Sequence, residues 1–316
     1  MTTATDPAGR HGVLVVGSVN VDLTTFSERL PKPGETIIGQ DFTVVLGGKG
    51  ANQVVAAGLA GAPASMVACI GEDSFGELVS DGLSSAGVDL THLRRVGPRT
   101  GIAHIRVDAS GENNIVVVPL ANDELDLPQI ERALADCATT HAVLLTQLET
   151  PYRLTLRTLQ LAREAGMTTI LDPAPARELD PAIWPQVSVV TPNETEAELL
   201  TGIAVSDDQS AAAAGRWFIE RGTACAVITR AGQGSTIVDA EGIHHVAAIP
   251  VTPVDTTAAG DAFSGYLGAR LAAGDDLAAA VRVATAAGAL TVTRAGASPS
   301  LPTAAEVEAL LASAGA

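Results

Sequence analysis

The sequence predicts an α/β fold: a doubly wound, mostly parallel sheet with helices on both faces, plus a small β-sheet lid. Three observations carry this. Short runs rich in Val and Ile alternate with longer helical patterns. The runs are apolar throughout rather than at every second residue, as in strands buried on both faces. Two stretches, near Thr24–Val45 and Gly101–Pro119, break the rhythm with extended segments that have no helical partner.

Taken in order, Val13–Val19 is the first predicted strand, followed by Ala64–Ile70, Ala142–Leu148, Thr168–Leu171, Val187–Val190 and Ala224–Thr229. Between them lie helices with start and stop signals. Gln53–Leu59 is helical after a glycine-rich turn. Phe75, Leu78, Val79 and Leu83 form one stripe, ended by Gly87. Pro128 opens a helix that turns Ile130, Ala133, Leu134 and Cys137 inward, and Pro151 opens another that Gly166 closes. Strand–helix alternation implies right-handed crossovers, with ligands beyond the carboxyl ends of the strands. The lid is built from about residues 20–46 and 98–120, with a turn at Ala109–Asn113. Residues 1–12 read as a flexible N-terminus and 13–316 as one domain.

The 316 residues are 47% hydrophobic, enough for a sizeable core. The net charge of −17, with no Lys/Arg cluster, argues against a nucleic-acid partner. An anionic ligand would then need local devices: metal ions, helix N-termini, a few placed cations. No run reaches the ~18 apolar residues of a membrane span. Cys69, Cys137 and Cys225 have no metal spacing and read as buried thiols of a reducing cytoplasm.

Four segments carry chemistry. In Val254–Phe263 a turn of small residues leads into a helix, so the amides of Ala258, Ala259, Gly260 and Asp261 form an anion hole, with the Asp261 carboxylate beside it as a general base. The competing reading, equally open, makes Asp261 or Asp255 an N-cap. Gly47-Gly48-Lys49-Gly50-Ala51-Asn52 is no P-loop, but it offers close backbone approach, a cation and an amide. Asn20 and Asp22, two apart, share a face of an extended segment and suit a polyol. In Thr191–Glu196, Asn193 and Glu196 have the spacing of a capping box and also place an amide and a carboxylate near Mg²⁺ and phosphate. Thr229–Gly234 is a glycine turn that could pass under a nucleotide, and His244 and His245 point to opposite faces of a strand.

Together, Gly17–Asp22, Gly47–Asn52, Gln147–Glu149, Asp172–Ala176, Thr191–Glu196, Asp255–Phe263 and Thr293–Ser300 resemble the PfkB carbohydrate-kinase family, in its order and over nearly the whole chain. The resemblance implies an ATP-dependent cytoplasmic kinase for a small sugar, closest to D-ribose at its 5-hydroxyl, with Mg²⁺, and a homodimer made through the lid. Asp261 would be the catalytic base. Asn20, Asp22, Gly48, Lys49, Asn52 and Glu149, with Gly50 and Ala51 in the same loop, would line the sugar site. Asn193, Thr229, Arg230, Ala231, Gly232, Gln233, Gly234, Gly260 and Thr285 would line the ATP site. Asp255, Thr257, Thr291, Arg294, Gly296 and Ser300 fall where the family holds an activating K⁺, several through carbonyls; alternatively the Arg294 charge replaces the ion. Two positions depart: Asp172 stands where an amide is usual, and Thr285 where Asn or His is common near adenine. The rival expectations are a kinase of the same family for deoxyribose, fructose or a nucleoside, and a sugar sensor without catalysis.

Overall fold

The computed structural model describes residues 9–314. Strand β1 (Gly12–Val16) sends Val13 and Val15 into one buried apolar layer and Leu14 and Val16 into the other. Burial on both faces is what a continuous apolar run requires. The chain then leaves the core for β2 (Asn20–Phe26) and β3 (Asp41–Gly47) and returns through α1 (Lys49–Leu59) to β4 (Ala64–Ile70), parallel to β1. Helix α2 (Ser74–Ser85) and β5 (Leu93–Arg95) finish that edge. A second excursion gives β6 (Gly101–Val107) and β7 (Asn113–Val118).

A 3-10 turn at Leu120–Glu124 leads to α3 (Leu127–Cys137), β8 (His141–Thr146), α4 (Thr155–Glu164), β9 (Thr168–Leu171) and β10 (Val189–Val190). Helices α5 (Glu194–Thr201) and α6 (Asp208–Ile219), strands β11 (Cys225–Thr229), β12 (Ser235–Asp239) and β13 (Ile243–Val246), and helices α7 (Ala259–Ala272), α8 (Leu277–Thr291) and α9 (Ala304–Ala314) follow.

The main sheet runs β13-β12-β11-β10-β9-β8-β1-β4-β5, parallel except for the antiparallel β11-β12-β13 edge. One face packs on α1, α2, α7 and α8, the other on α3, α4 and α6. The second sheet, β3-β2-β6-β7, is separate and occupies the two stretches expected for a lid. Ile102, His104 and Arg106 pair with Val21, Leu23 and Thr25 and share their face.

Helix α3 begins as its signals require: the Asp126 carboxylate accepts from the Gln129 amide at 2.9 Å, with Ile130, Ala133, Leu134 and Cys137 buried. Helix α4 starts later than Pro151, after a 3-10 turn at Tyr152–Leu154, because Pro151 has an extended ψ of 103°. Helix α1 starts earlier than Gln53. Gly48 caps it at φ 88°, so Lys49–Asn52 form its first turn. The positive φ favours glycine, and a Cβ there would also sit 2.7 Å from the Asn20 amide nitrogen. Of the stretch expected to be loose, residues 1–8 lie outside the described residues. Arg10 donates to the carbonyls of Ala138, Ala165 and Gly166.

Candidate active site

Five of the candidate segments sit just past the carboxyl end of a parallel strand, while Gly47–Asn52 follows β3 of the second sheet and Asp255–Phe263 follows the antiparallel β13 edge. Ser18 and Asn20 follow β1, Gln147 and Glu149 follow β8, Asp172 follows β9, Asn193 follows β10 and Arg230 follows β11. The strand ends thus bring together residues more than two hundred positions apart.

Asp261 lies in the first turn of α7 and is 5% exposed. Neither it nor Asp255 caps the helix: the N-cap residue is Ala258, in left-handed geometry (φ 61°), without a side-chain cap. The amides of Gly260 and Asp261, as first-turn groups, have no partner within the helix. The Ala259 amide leans back to the Thr256 carbonyl at 3.4 Å. Both Asp261 oxygens accept from α1, Oδ2 from Asn52 Nδ2 (2.9 Å) and Oδ1 from Gln53 Nε2 (3.0 Å). The two helices touch through Gly265, where a Cβ would meet Ala56 Cβ and the Gln53 carbonyl at 2.5 Å.

Lys49 Nζ stands 3.9 Å from both Asp261 Oδ1 and Asp172 Oδ2. Burial would lower this ammonium, but Asp172, Asp261, Glu149 and Glu196 outweigh it and raise its hold on the proton. Burial pushes Asp172 up, against the pull of Lys49. Gln53 Nε2 also donates to Asp172 Oδ2 at 2.7 Å, so one amide joins the two carboxylates. The expected departure at Asp172 therefore lies two hydrogen bonds from Asp261, through the Gln53 amide.

On the lid side, Asn20 and Asp22 are 2% and 7% exposed. Burial, then the charges of Glu149 and Asp261, push the Asp22 carboxyl up to about 7. A Cβ on Gly47 would overlap that carboxyl. Glu149 Oε2 accepts from Ser18 Oγ (2.6 Å) and from the Lys49 amide (3.1 Å), fixing the start of α1. Gly50 and Ala51 lie behind this surface. Both are buried, and the Ala51 amide is taken by the Ser18 carbonyl at 2.9 Å. With the Lys49 amide on Glu149, backbone approach to a ligand is thus left to Gly48.

The predicted capping box at α5 is formed: Asn193 Oδ1 accepts from the Glu196 amide and Glu196 Oε2 from the Asn193 amide, both at 2.9 Å. Burial raises Glu196. The Thr229 amide donates to the Pro192 carbonyl, which aligns the two loops expected to flank a nucleotide. Ala231, Gly232 and Gln233 form an exposed 3-10 turn before the buried Gly234. Arg230 is buried and turned away, its guanidinium pairing with Asp208 and donating to Gln233 Oε1, so it braces the loop from behind. The Thr285 hydroxyl donates to its own helix at the Val281 carbonyl.

The two loops expected to flank a cation lie side by side. The Val254 and Asp255 amides donate to the Val292 carbonyl, and Asp255 Oδ2 accepts from the Gly296 amide at 2.9 Å. Hydrogen bonds from Thr257 and Gly296 outweigh burial and hold the Asp255 carboxyl below the usual range. The Thr291 and Ser300 hydroxyls are spent on the Ala287 and Ala297 carbonyls. Arg294 is paired with Glu306 at 2.6 Å, so its charge already has a partner.

Four contributors were not singled out from sequence: Ser18, Gln53, Asn122 and Ser298. Gln53 is fully buried on an otherwise apolar helix face, and a polar residue there was a usable signal. Ser298 Oγ donates to Asn52 Oδ1 at 2.8 Å, linking the Thr291–Ser300 loop to Asp261 through one amide.

The sequence profile of the pfkB family carbohydrate kinases matches residues 10–304. Ribokinase of Haemophilus influenzae is 38% identical over 295 residues, spanning 93% of this chain and 96% of that protein. Deoxyribokinase of Salmonella typhi is 34% identical over 292 residues, spanning 92% and 95%. The structure of Arabidopsis thaliana ribokinase complexed with ribose and ATP matches with a TM-score of 0.87 at 29% identity, over 96% of this chain and 99% of that one.

Proposed function

The chain belongs to the pfkB family of carbohydrate kinases, and on that premise we propose that it transfers the γ-phosphoryl group of ATP to the 5-hydroxyl of D-ribose, giving ribose 5-phosphate and ADP. The observation that carries this is Asp261: a buried carboxylate at a helix start, with first-turn amides beside it and two donors and a lysine holding it. Phosphoryl transfer asks mainly for positioning and charge stabilisation. Asp261 takes the proton of the attacking hydroxyl, and the Gly260 and Asp261 amides face the transferring group. Asn20, Asp22 and Lys49 orient the sugar, and the second sheet covers it and excludes water.

Mg²⁺, entering with ATP, neutralises phosphate charge. Glu196 keeps Oε1 clear of its capping bond and, with Asn193, suits that region. The paired loops at Asp255–Thr257 and Thr291–Ser300 fit a monovalent cation held mostly by carbonyls. The exposed Phe42, Ile115, Val116 and Val117 of the second sheet suit a homodimer made through it. No helix among the described residues is long and apolar enough to cross a membrane, and the three free, buried cysteines suit the cytoplasm.

A second reading, a preference for 2-deoxyribose, is favoured by the deoxyribokinase similarity. Initial rates with D-ribose, 2-deoxyribose and fructose separate the two. Ribose should give the highest kcat/KM, and a higher value for either competitor would refute the ribose assignment while leaving a sugar kinase. Repeating the ribose assay in potassium, sodium and tetramethylammonium salts at constant ionic strength should show a potassium advantage that Asp255→Ala removes. Equal rates in the three salts would remove the cation from the account.

A further inference from the structure

We propose that Asn122 sets which way the Asn20 amide faces, and thereby makes that point of the sugar site a hydrogen-bond donor. This rests on the reading of Asn20 as a sugar contact. Asn122 lies in the 3-10 turn where the chain returns from the lid to the core, and it is 2% exposed. Val19 and Asn20 lie where the chain first leaves the core for the lid. One side chain therefore spans both crossings.

The two ends of an amide are nearly equal in shape, so neighbours decide its orientation. Asn122 has no freedom. Its Oδ1 accepts from the Val19 amide at 2.9 Å and its Nδ2 donates to the Val19 carbonyl at 3.0 Å. A backbone N–H only donates and a carbonyl only accepts, so reversing Asn122 would set donor against donor and acceptor against acceptor. The second hydrogen on Nδ2 then reaches Asn20, 2.9 Å away, and requires an acceptor there. Asn20 must offer its Oδ1. Its Nδ2 has no partner among the described residues and is left for a ligand. Gly101 is part of the device, since a Cβ at that position would overlap both Asn122 Nδ2 and Asn20 Oδ1.

The orientation matters because the rest of the site is rich in acceptors. Asp22, Glu149 and Asp261 are carboxylates, and Lys49 is the cation set among them. A polyol hydroxyl that gives its proton to a carboxylate still needs a donor for its lone pairs. With Asn20 reversed, the site would present a fourth acceptor, and a sugar oxygen would be left unpaired.

A double-mutant cycle tests this, with Asn20→Ala, Asn122→Ala and the pair, reading KM for D-ribose and kcat separately. Each single change should raise KM by about 10- to 100-fold, the loss expected for an unpaired polar group, with kcat little changed. The pair should be no worse than the worse single change, because Asn122 acts through Asn20. KM effects that multiply would overturn the proposal and leave the sugar site standing. An unchanged KM in Asn20→Ala would remove Asn20 from the sugar site and the proposal with it. Should Asn122→Ala fail to fold, Asn20→Asp serves instead. Its carboxylate still accepts from Asn122, so the lid root is kept while the donor is lost. A raised KM with unchanged thermal stability supports the proposal; a wild-type KM overturns it.

Discussion

Replacing Asp261 by Asn should give a folded protein whose kcat is lower by roughly 10²–10⁴, the usual worth of a general base. Size and burial are kept, and Asn52 can adapt because its other partner is the rotatable Ser298 hydroxyl. What disappears is the acceptor for the hydroxyl proton. KM for sugar and ATP should move far less than kcat, since neither ligand is held mainly by this group. A purified variant turning over near the wild-type rate would end the assignment and leave Asp261 as a structural anchor between α1 and α7.

Asp22→Asn should damage activity and improve stability at once. On the proposed reading of Asp22 as a contact for sugar hydroxyls, the amide replaces one acceptor oxygen with a donor and leaves a hydroxyl unpaired, so kcat/KM for D-ribose should fall by up to about 10⁴-fold. The stability effect has the opposite sign. The Asp22 carboxyl ionises near 3.8 when free but is pushed up to about 7 in the fold, by burial first and then by Glu149 and Asp261. As pH rises from about 4 to 7 the unfolded chain gives up this proton before the folded one, so the fold loses stability across that window. The variant carries no such group. Above pH 7 it should be more stable than the wild type by roughly 1–4 kcal/mol, at about 1.4 kcal/mol per pKa unit. Below pH 4 the two should converge. Melting curves at pH 4, 6 and 8 read this, and a constant difference across them would refute the charged, buried state of Asp22.

The order of strands and helices was legible because burial leaves a periodic trace: Ala64–Ile70 and Thr168–Leu171 are strands with the bounds expected. The hairpin of β12 and β13 was less visible. It lies at the antiparallel edge, where β13 has a polar face and no continuous apolar run. The start of α1 was misplaced because three glycines look like a loop, whereas Gly48 alone makes the turn and Gly50 is there for the close approach of Ser18, whose carbonyl a Cβ would meet at 2.6 Å. The candidate groups that the fold brings together were legible as polar residues among small ones, most of them after strand ends. Their supports were not. Asn122 reads as an ordinary turn residue, and its value comes from Val19 and Asn20, a hundred positions away. Spacing along the chain carries no trace of such a contact, while capping boxes such as Asn193–Glu196 are local and were read correctly.

The backbone-level contact at Gly265 has a bearing on descent as well as on chemistry. Asp261, Asn52 and Gln53 belong to two helices fastened together in the core, whereas Asn20 and Asp22 belong to the strands that stand apart from it. Substitutions that accumulate in β2, β3 or β6 fall on the separate sheet and leave the α1–α7 contact at Gly265 untouched. The two regions can therefore vary in sequence largely apart from one another, with Lys49 and Asn52, which α1 itself contributes, as the positions where they meet.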